Sequence, residues 1–153
     1  LTLLLFGGHE TTTNLITNGL LALLDFPGQM DDLRRNPDIM PMALEEITRF
    51  DGPARSMVRL VKENHEFGGV EMKAGERVFL VNPSANRDPV VFDDPDTLDL
   101  RRNPTGHIGY GFGLHYCLGA PLARLEAAVM LETLFDVFPN IRLSGDPLKF
   151  WHT

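Results

Sequence analysis

The chain has a single cysteine, Cys117, within the stretch GYGFGLHYCLGAPLARLE at 109–126. A lone cysteine is usually a small buried hydrophobe. This one follows Gly109, Gly111 and Gly113, stands two residues after His115 and precedes a helical pattern. Gly113 and Gly119 have no side chain to keep a flat ligand away from the sulfur. A helix beginning there aims its free N–H groups and positive dipole end at the thiol, which favours the thiolate. A thiolate is either a nucleophile or a metal ligand. A nucleophile needs a base, and the near candidate, His115, lies on a loop where spacing leaves its orientation open. A structural zinc site needs more soft ligands at set spacings, and none are present. One thiolate under a planar macrocycle needs only glycines to clear space and cations for the carboxylates, so that reading uses every feature of the loop.

Two further groups carry chemistry. In GGHETT, residues 7–12, glycines and β-branched threonines interrupt an otherwise apolar helical run against their propensity. Thr11 stands four residues after Gly7, so its hydroxyl can bond that carbonyl and open the helix locally. A widened, glycine-lined turn has room for a small ligand and water, and an acid beside an alcohol, Glu10 and Thr11, can relay protons. The plainer alternative is a threonine-rich interior stretch with a solvent-facing glutamate. In EEITRF, Glu46 and Arg49 are three apart and therefore neighbours on a helix. By default such a pair is a solvated bridge contributing about 0.3–0.5 kcal/mol.

GYGFGLHYCLG resembles the haem-binding loop of the cytochrome P450 family, Phe-x-x-Gly-x-His/Arg-x-Cys-x-Gly. Gly113, His115, Cys117 and Gly119 fall on the pattern, and Tyr110 replaces its Phe, keeping the ring but adding a hydroxyl that needs a partner. The continuation APLARLE is typical of soluble bacterial members. In the same resemblance Gly7, Gly8, Glu10 and Thr11 match the distal helix, and Glu46 and Arg49 match a buried structural Glu-x-x-Arg pair. The family usually completes that pair with an Arg or His where this chain has Thr97. Either Arg101 or Arg102 reaches in, or Thr97 serves as a neutral partner.

The resemblance implies haem b (iron protoporphyrin IX) as cofactor, with Cys117 as axial ligand and Arg59 and His107 on the propionates. It implies that Glu10 and Thr11 supply protons for the activation of dioxygen, and that Gly8 with Pro53, Ser56, Met57 and Val58 lines the substrate cavity. The expected activity is monooxygenation, inserting one oxygen atom from O2 into a small apolar organic substrate. Electrons are expected from a ferredoxin and its NAD(P)H-dependent reductase, because the chain has no nucleotide-binding glycine fingerprint or cysteine cluster. Arg124 and Arg35 are candidate docking contacts. A haem-thiolate protein that binds or isomerises ligands without activating oxygen would keep Cys117 but have no need of Glu10 and Thr11. An inactive, non-enzymatic fragment is the third reading.

The elements that must hold these groups follow from the pattern. Residues 1–25 read as one long helix, PGQMDDLRRNP and MPMALEEITRF as shorter ones, and Arg55–Val81 as strands turned at FGG and KAGE. A long Pro- and Asp-rich irregular stretch follows. Leu118, Leu122, Leu125 and Val129 mark one face of a last helix ending near Pro139. The fold class is mainly α with a small β-sheet, matching the C-terminal portion of the P450 fold, in one partial domain over 1–153. A formal charge of -7 argues against nucleic acid. One cysteine suits a reducing cytoplasm, and Leu3–Phe6 is too short to cross a bilayer. A start without Met and a stop at FWHT lead us to expect an excised part of a longer protein, lacking most of its N-terminal portion and a short C-terminal piece.

Overall fold

The computed structural model describes residues 2–145. Helix α1 spans Thr2–Asp25, α2 Pro27–Arg35, α3 Met40–Asp51, α4 Asn82–Ala85 and α5 Ala120–Val137. Strands β1 (Ser56–Leu60), β2 (His65–Phe67), β3 (Val70–Met72) and β4 (Arg77–Val81) lie between α3 and α4. A proline sits in the first turn of α2, α3, α4 and α5, where its missing N–H forfeits no helical bond.

The core forms where α1, α3 and α5 meet, with α2 alongside. Leu15, Leu23, Leu33, Ala43, Leu44, Ile47, Ala127 and Leu131 close it, and Leu98 and Leu100 of the irregular stretch plug one side. Gly19 sets the α1–α3 approach, since a Cβ there would stand 2.8 Å from Ile47 Cγ2.

Helix α5 runs from Ala120 to Val137 and ends just before Pro139, as the sequence pattern predicts. Its buried face is Ala120, Ala127 and Leu131, whereas Leu118, Leu122, Leu125 and Val129 are exposed. The apolar stripe that the 4-3-4 spacing marks is the uncovered face.

The small sheet is present as two antiparallel ribbons. β1 pairs with β4 from Ser56↔Val81 to Leu60↔Arg77, and β2 pairs with β3 around Gly68 and Gly69, both at positive φ. Residues 86–112 then run irregularly to the cysteine loop. Among the described residues, no helix is long and apolar enough to cross a membrane.

Candidate functional site

The Cys117 loop is a closed turn. The Cys117 N–H donates to the Tyr110 carbonyl at 2.9 Å, and the Cys117 carbonyl accepts from Ala120 N–H at 3.3 Å, where α5 begins. Gly111 and Gly113 take φ of 78° and 67°, left-handed values that disfavour any side chain. A Cβ on Gly113 would meet nothing within 4 Å, and one on Gly119 would lie 3.9 Å from Cys117 Sγ. The thiol is exposed, as are His115, Phe112, Leu114, Leu118 and Leu122 around it. An exposed soft donor with open space beside it and apolar side chains about it fits a flat, largely apolar group that carries a metal. Among the described residues no other cluster of His, Cys, Asp and Glu could hold a metal.

On α1, the Thr11 hydroxyl donates to Gly7 O at 2.5 Å, the i−4 bond that the spacing predicts. Thr13 and Thr17 do the same to His9 and Thr13. The local opening expected at Gly7–Thr11 is not found, for α1 is helical without interruption from Thr2 to Asp25. A back-bonding hydroxyl shares a carbonyl with the helix and need not displace its N–H partner. Gly8, Glu10 and Thr11 are exposed, and a Cβ on Gly7 or Gly8 would have no neighbour within 4 Å.

Glu46 and Arg49 form no surface bridge. Both side chains are fully buried and meet as a fork, Arg49 Nε–Glu46 Oε2 at 2.7 Å and Nη2–Oε1 at 2.8 Å. Arg49 Nη1 donates to the carbonyls of Asn86 and Pro95, each at 2.9 Å, and Nη2 to that of Thr97 at 3.3 Å. Arg102 supplies the third ionic partner, with Nε 3.1 Å from Glu46 Oε1 and further bonds to the carbonyls of Asp93, Asp94 and Thr97. Thr97 therefore contributes its backbone, and Arg101 turns outward to Asp32 at 2.7 Å. The pair ties α3 to the irregular stretch that leads into the cysteine loop.

A second polar cluster, not anticipated from the sequence, joins α3 to α5. Arg124 forks onto Glu45, with Nη2–Oε2 at 2.9 Å, and reaches Tyr116 Oη at 3.2 Å. His107 Nε2 donates to Glu45 Oε2 at 2.9 Å while Nδ1 accepts the Gly109 N–H at 3.1 Å, which fixes the tautomer. Partial burial raises the Glu45 carboxyl, but hydrogen bonds from Arg124 and His107 outweigh it and hold the pKa at about 2. Glu45 in turn raises the Arg124 guanidinium. The Arg124 guanidinium lies 4.3 Å over the Tyr110 ring. Burial raises the Tyr110 phenol, with Thr48 acting the other way; among the described residues its hydroxyl has no partner in hydrogen-bonding geometry. The available signal for this cluster was the first glutamate of EEITRF, Glu45, which stands beside the Glu-x-x-Arg pair without being part of it.

Of the residues expected at the haem carboxylates, His107 has Nε2 on Glu45 and Nδ1 on the Gly109 N–H. Of the two candidate docking contacts, Arg35 is exposed on α2 and Arg124 is half-buried, with Nε and Nη2 engaged by Glu45 and Tyr116. Gly8 lines a groove between α1 and α5 with Thr12, Ile16, Leu125 and Val129. Pro53, Ser56, Met57 and Val58 lie after the end of α3 and on β1 and do not line that groove. Arg59 on β1 is exposed, with Nη1 donating to Val58 O at 3.0 Å and Nη2 making a long contact of 4.0 Å to Met57 Sδ.

The family model "Cytochrome P450" matches residues 1–146. "Putative cytochrome P450 YjiB" of Bacillus subtilis is 49% identical over 140 residues, covering 92% of this chain and 35% of that protein. The "Biotin biosynthesis cytochrome P450" of the same organism is 44% identical over 142 residues, covering 93% and 36%. Among solved structures, that of CYP109B1 from Bacillus subtilis superposes with a TM-score of 0.91 at 47% identity, over 97% of this chain and 41% of that one. P450BioI in complex with an acyl carrier protein ligated to hexadec-9Z-enoic acid gives 0.90 at 43%, over 94% and 38%. The chain thus spans about a third of the length of the curated relatives it matches.

Proposed function

We propose, because this chain belongs to the cytochrome P450 family, that it forms the thiolate and distal-helix portion of a haem-thiolate monooxygenase acting on a small apolar substrate. The family's cofactor is haem. The observation that carries the reading is the Cys117 turn: an exposed thiol beside Gly113 and Gly119, fixed by the Tyr110 carbonyl and set at the start of α5.

Cys117 would hold the iron, and thiolate-ligated haem supplies dioxygen activation with cleavage of the O–O bond. The chain's own residues do the rest. His115 and Arg59, both exposed, are suitable donors to the haem carboxylates. Glu10 and Thr11, consecutive on α1 with the Thr11 hydroxyl donating to Gly7 O, are the chain's own acid and alcohol for moving protons. The Glu46–Arg49–Arg102 network and the Glu45–Arg124 fork keep α3, the irregular stretch and α5 in register around the turn. Met57 and Val58 would offer apolar contact to substrate, and Arg35 is a contact for a ferredoxin fed by an NAD(P)H-dependent reductase.

The test is the carbon monoxide difference spectrum of the reduced full-length protein beside its Cys117→Ser variant. A strongly red-shifted Soret band in the wild type, lost in the variant, is expected. Haem bound without that band would remove the thiolate and, with it, the monooxygenase reading.

A further inference from the structure

The geometry points to Glu45 as a positioning residue for the Cys117 turn: through Arg124 it holds the two tyrosines that flank the turn and neutralises the guanidinium placed between them. The inference rests on the haem-thiolate reading above.

The turn is bounded by Tyr110, whose carbonyl takes the Cys117 N–H at 2.9 Å, and by Tyr116, the residue before the ligand. Their rings lie 6.5 Å apart, centroid to centroid. Arg124 touches both, stacked 4.3 Å over the Tyr110 ring and donating to Tyr116 Oη at 3.2 Å. An arginine on a helix can adopt many rotamers, and a cation held by one phenol and one ring face would not stay in one. Glu45 removes that freedom. Both of its oxygens receive Arg124, and Oε2 also receives His107 Nε2, itself fixed through Nδ1 by the Gly109 N–H. The carboxylate therefore clamps α5 and the approach to the loop onto α3, one residue before the buried Glu46.

Two consequences follow for a ligand at Cys117. Without the clamp, Tyr116 and Tyr110 lose their common support and the turn loosens, as happens when a partner outside the ligand set is removed. Without the carboxylate, an unbalanced positive charge stands beside the ligand turn. Reduction adds an electron to the metal centre, so such a charge favours the reduced state and moves the potential upward.

The experiment uses the haem-loaded full-length protein, reduced chemically with no donor protein present. Midpoint potential and the lifetime of the thiolate-type carbon monoxide band are read in wild type, Glu45→Gln, Arg124→Lys and Tyr116→Phe. Glu45→Gln should shift the potential positive and shorten the band's lifetime about tenfold, the lower end of losses from such outer partners. Arg124→Lys keeps the charge pair but loses the fork, so it should shorten the lifetime with little change in potential. Tyr116→Phe removes a single bond from an exposed phenol and should act in the same direction, more weakly. Unchanged potential and lifetime in Glu45→Gln would overturn the inference; were that variant unable to keep haem, unchanged lifetimes in the other two would do so. A wild type lacking the thiolate band sinks the functional reading before any variant is made, so the two failures are distinct.

Discussion

Arg102 reaches Glu46 across the fold, Nε to Oε1 at 3.1 Å, although 56 positions separate them in the chain. It is the third member of a buried ionic network in which Glu46 and Arg49 are wholly inaccessible to solvent. Position 97, where the resemblance led us to look for a cation, contributes only a carbonyl, and a cation five residues later takes over the role.

That arrangement ranks two variants. Arg49→Ala strands a buried carboxylate and should cost about 3–5 kcal/mol. Arg102→Ala leaves Glu46 its fork with Arg49 and should cost about 1.5–3 kcal/mol, the range for a hydrogen bond to a charged group. Denaturant melts of the haem-loaded protein check the order, and equal losses would contradict it.

Thr11→Ala should leave stability within about 0.5 kcal/mol of wild type, because the hydroxyl bonds its own helix on an exposed surface. If the alcohol passes protons, the same variant should consume NAD(P)H without matching product and release peroxide. Coupling measured beside thermal unfolding separates the two roles, and unchanged coupling removes Thr11 from the proton path.

Glu45 gives the acid limb of stability a defined sign. Its folded pKa of about 2 lies below the ordinary 4.5, so its contribution is complete above pH 4.5 and is lost as pH falls toward 2. After discount for its partial exposure the contribution is about 2 kcal/mol. Glu45→Gln should therefore be less stable than wild type at pH 7, with the gap closing between pH 4.5 and 2. A pH-independent gap would show that the charge is not what Arg124 and His107 recognise.

Gly19→Val should destabilise by about 1–3 kcal/mol, since a Cβ already comes within 2.8 Å of Ile47 Cγ2 and branching adds to the overlap. Gly19→Val combined with Ile47→Ala should recover part of that loss. No recovery in the double variant would place the strain somewhere other than the α1–α3 contact.

Residues 1–153 expressed alone would present Leu3, Leu4, Leu5 and Phe6 of α1 and the leucine face of α5 to water. Contiguous apolar surface of that kind promotes association. The expected result on gel filtration is aggregate or weak haem binding. A monomer with stoichiometric haem would overturn it.

The sequence was most informative where chemistry demands a residue type at a fixed local spacing. The glycines around Cys117, the Thr11–Gly7 bond and the Glu46–Arg49 pair are each readable within ten residues, because helix and turn geometry fix who neighbours whom. The three long helices were legible for the same reason, through their apolar runs and periodicity and, for α3, the proline in its first turn.

What only the tertiary structure decided are the partners chosen across the chain. Arg102 over Arg101, the Glu45 fork on Arg124 and the inward turn of His107 all depend on which elements pack together. A side chain's type says what it can bond, and local periodicity says which way a helix can face. Among several competent donors, the selection is made by close packing of distant segments, a property that no stretch of sequence carries by itself.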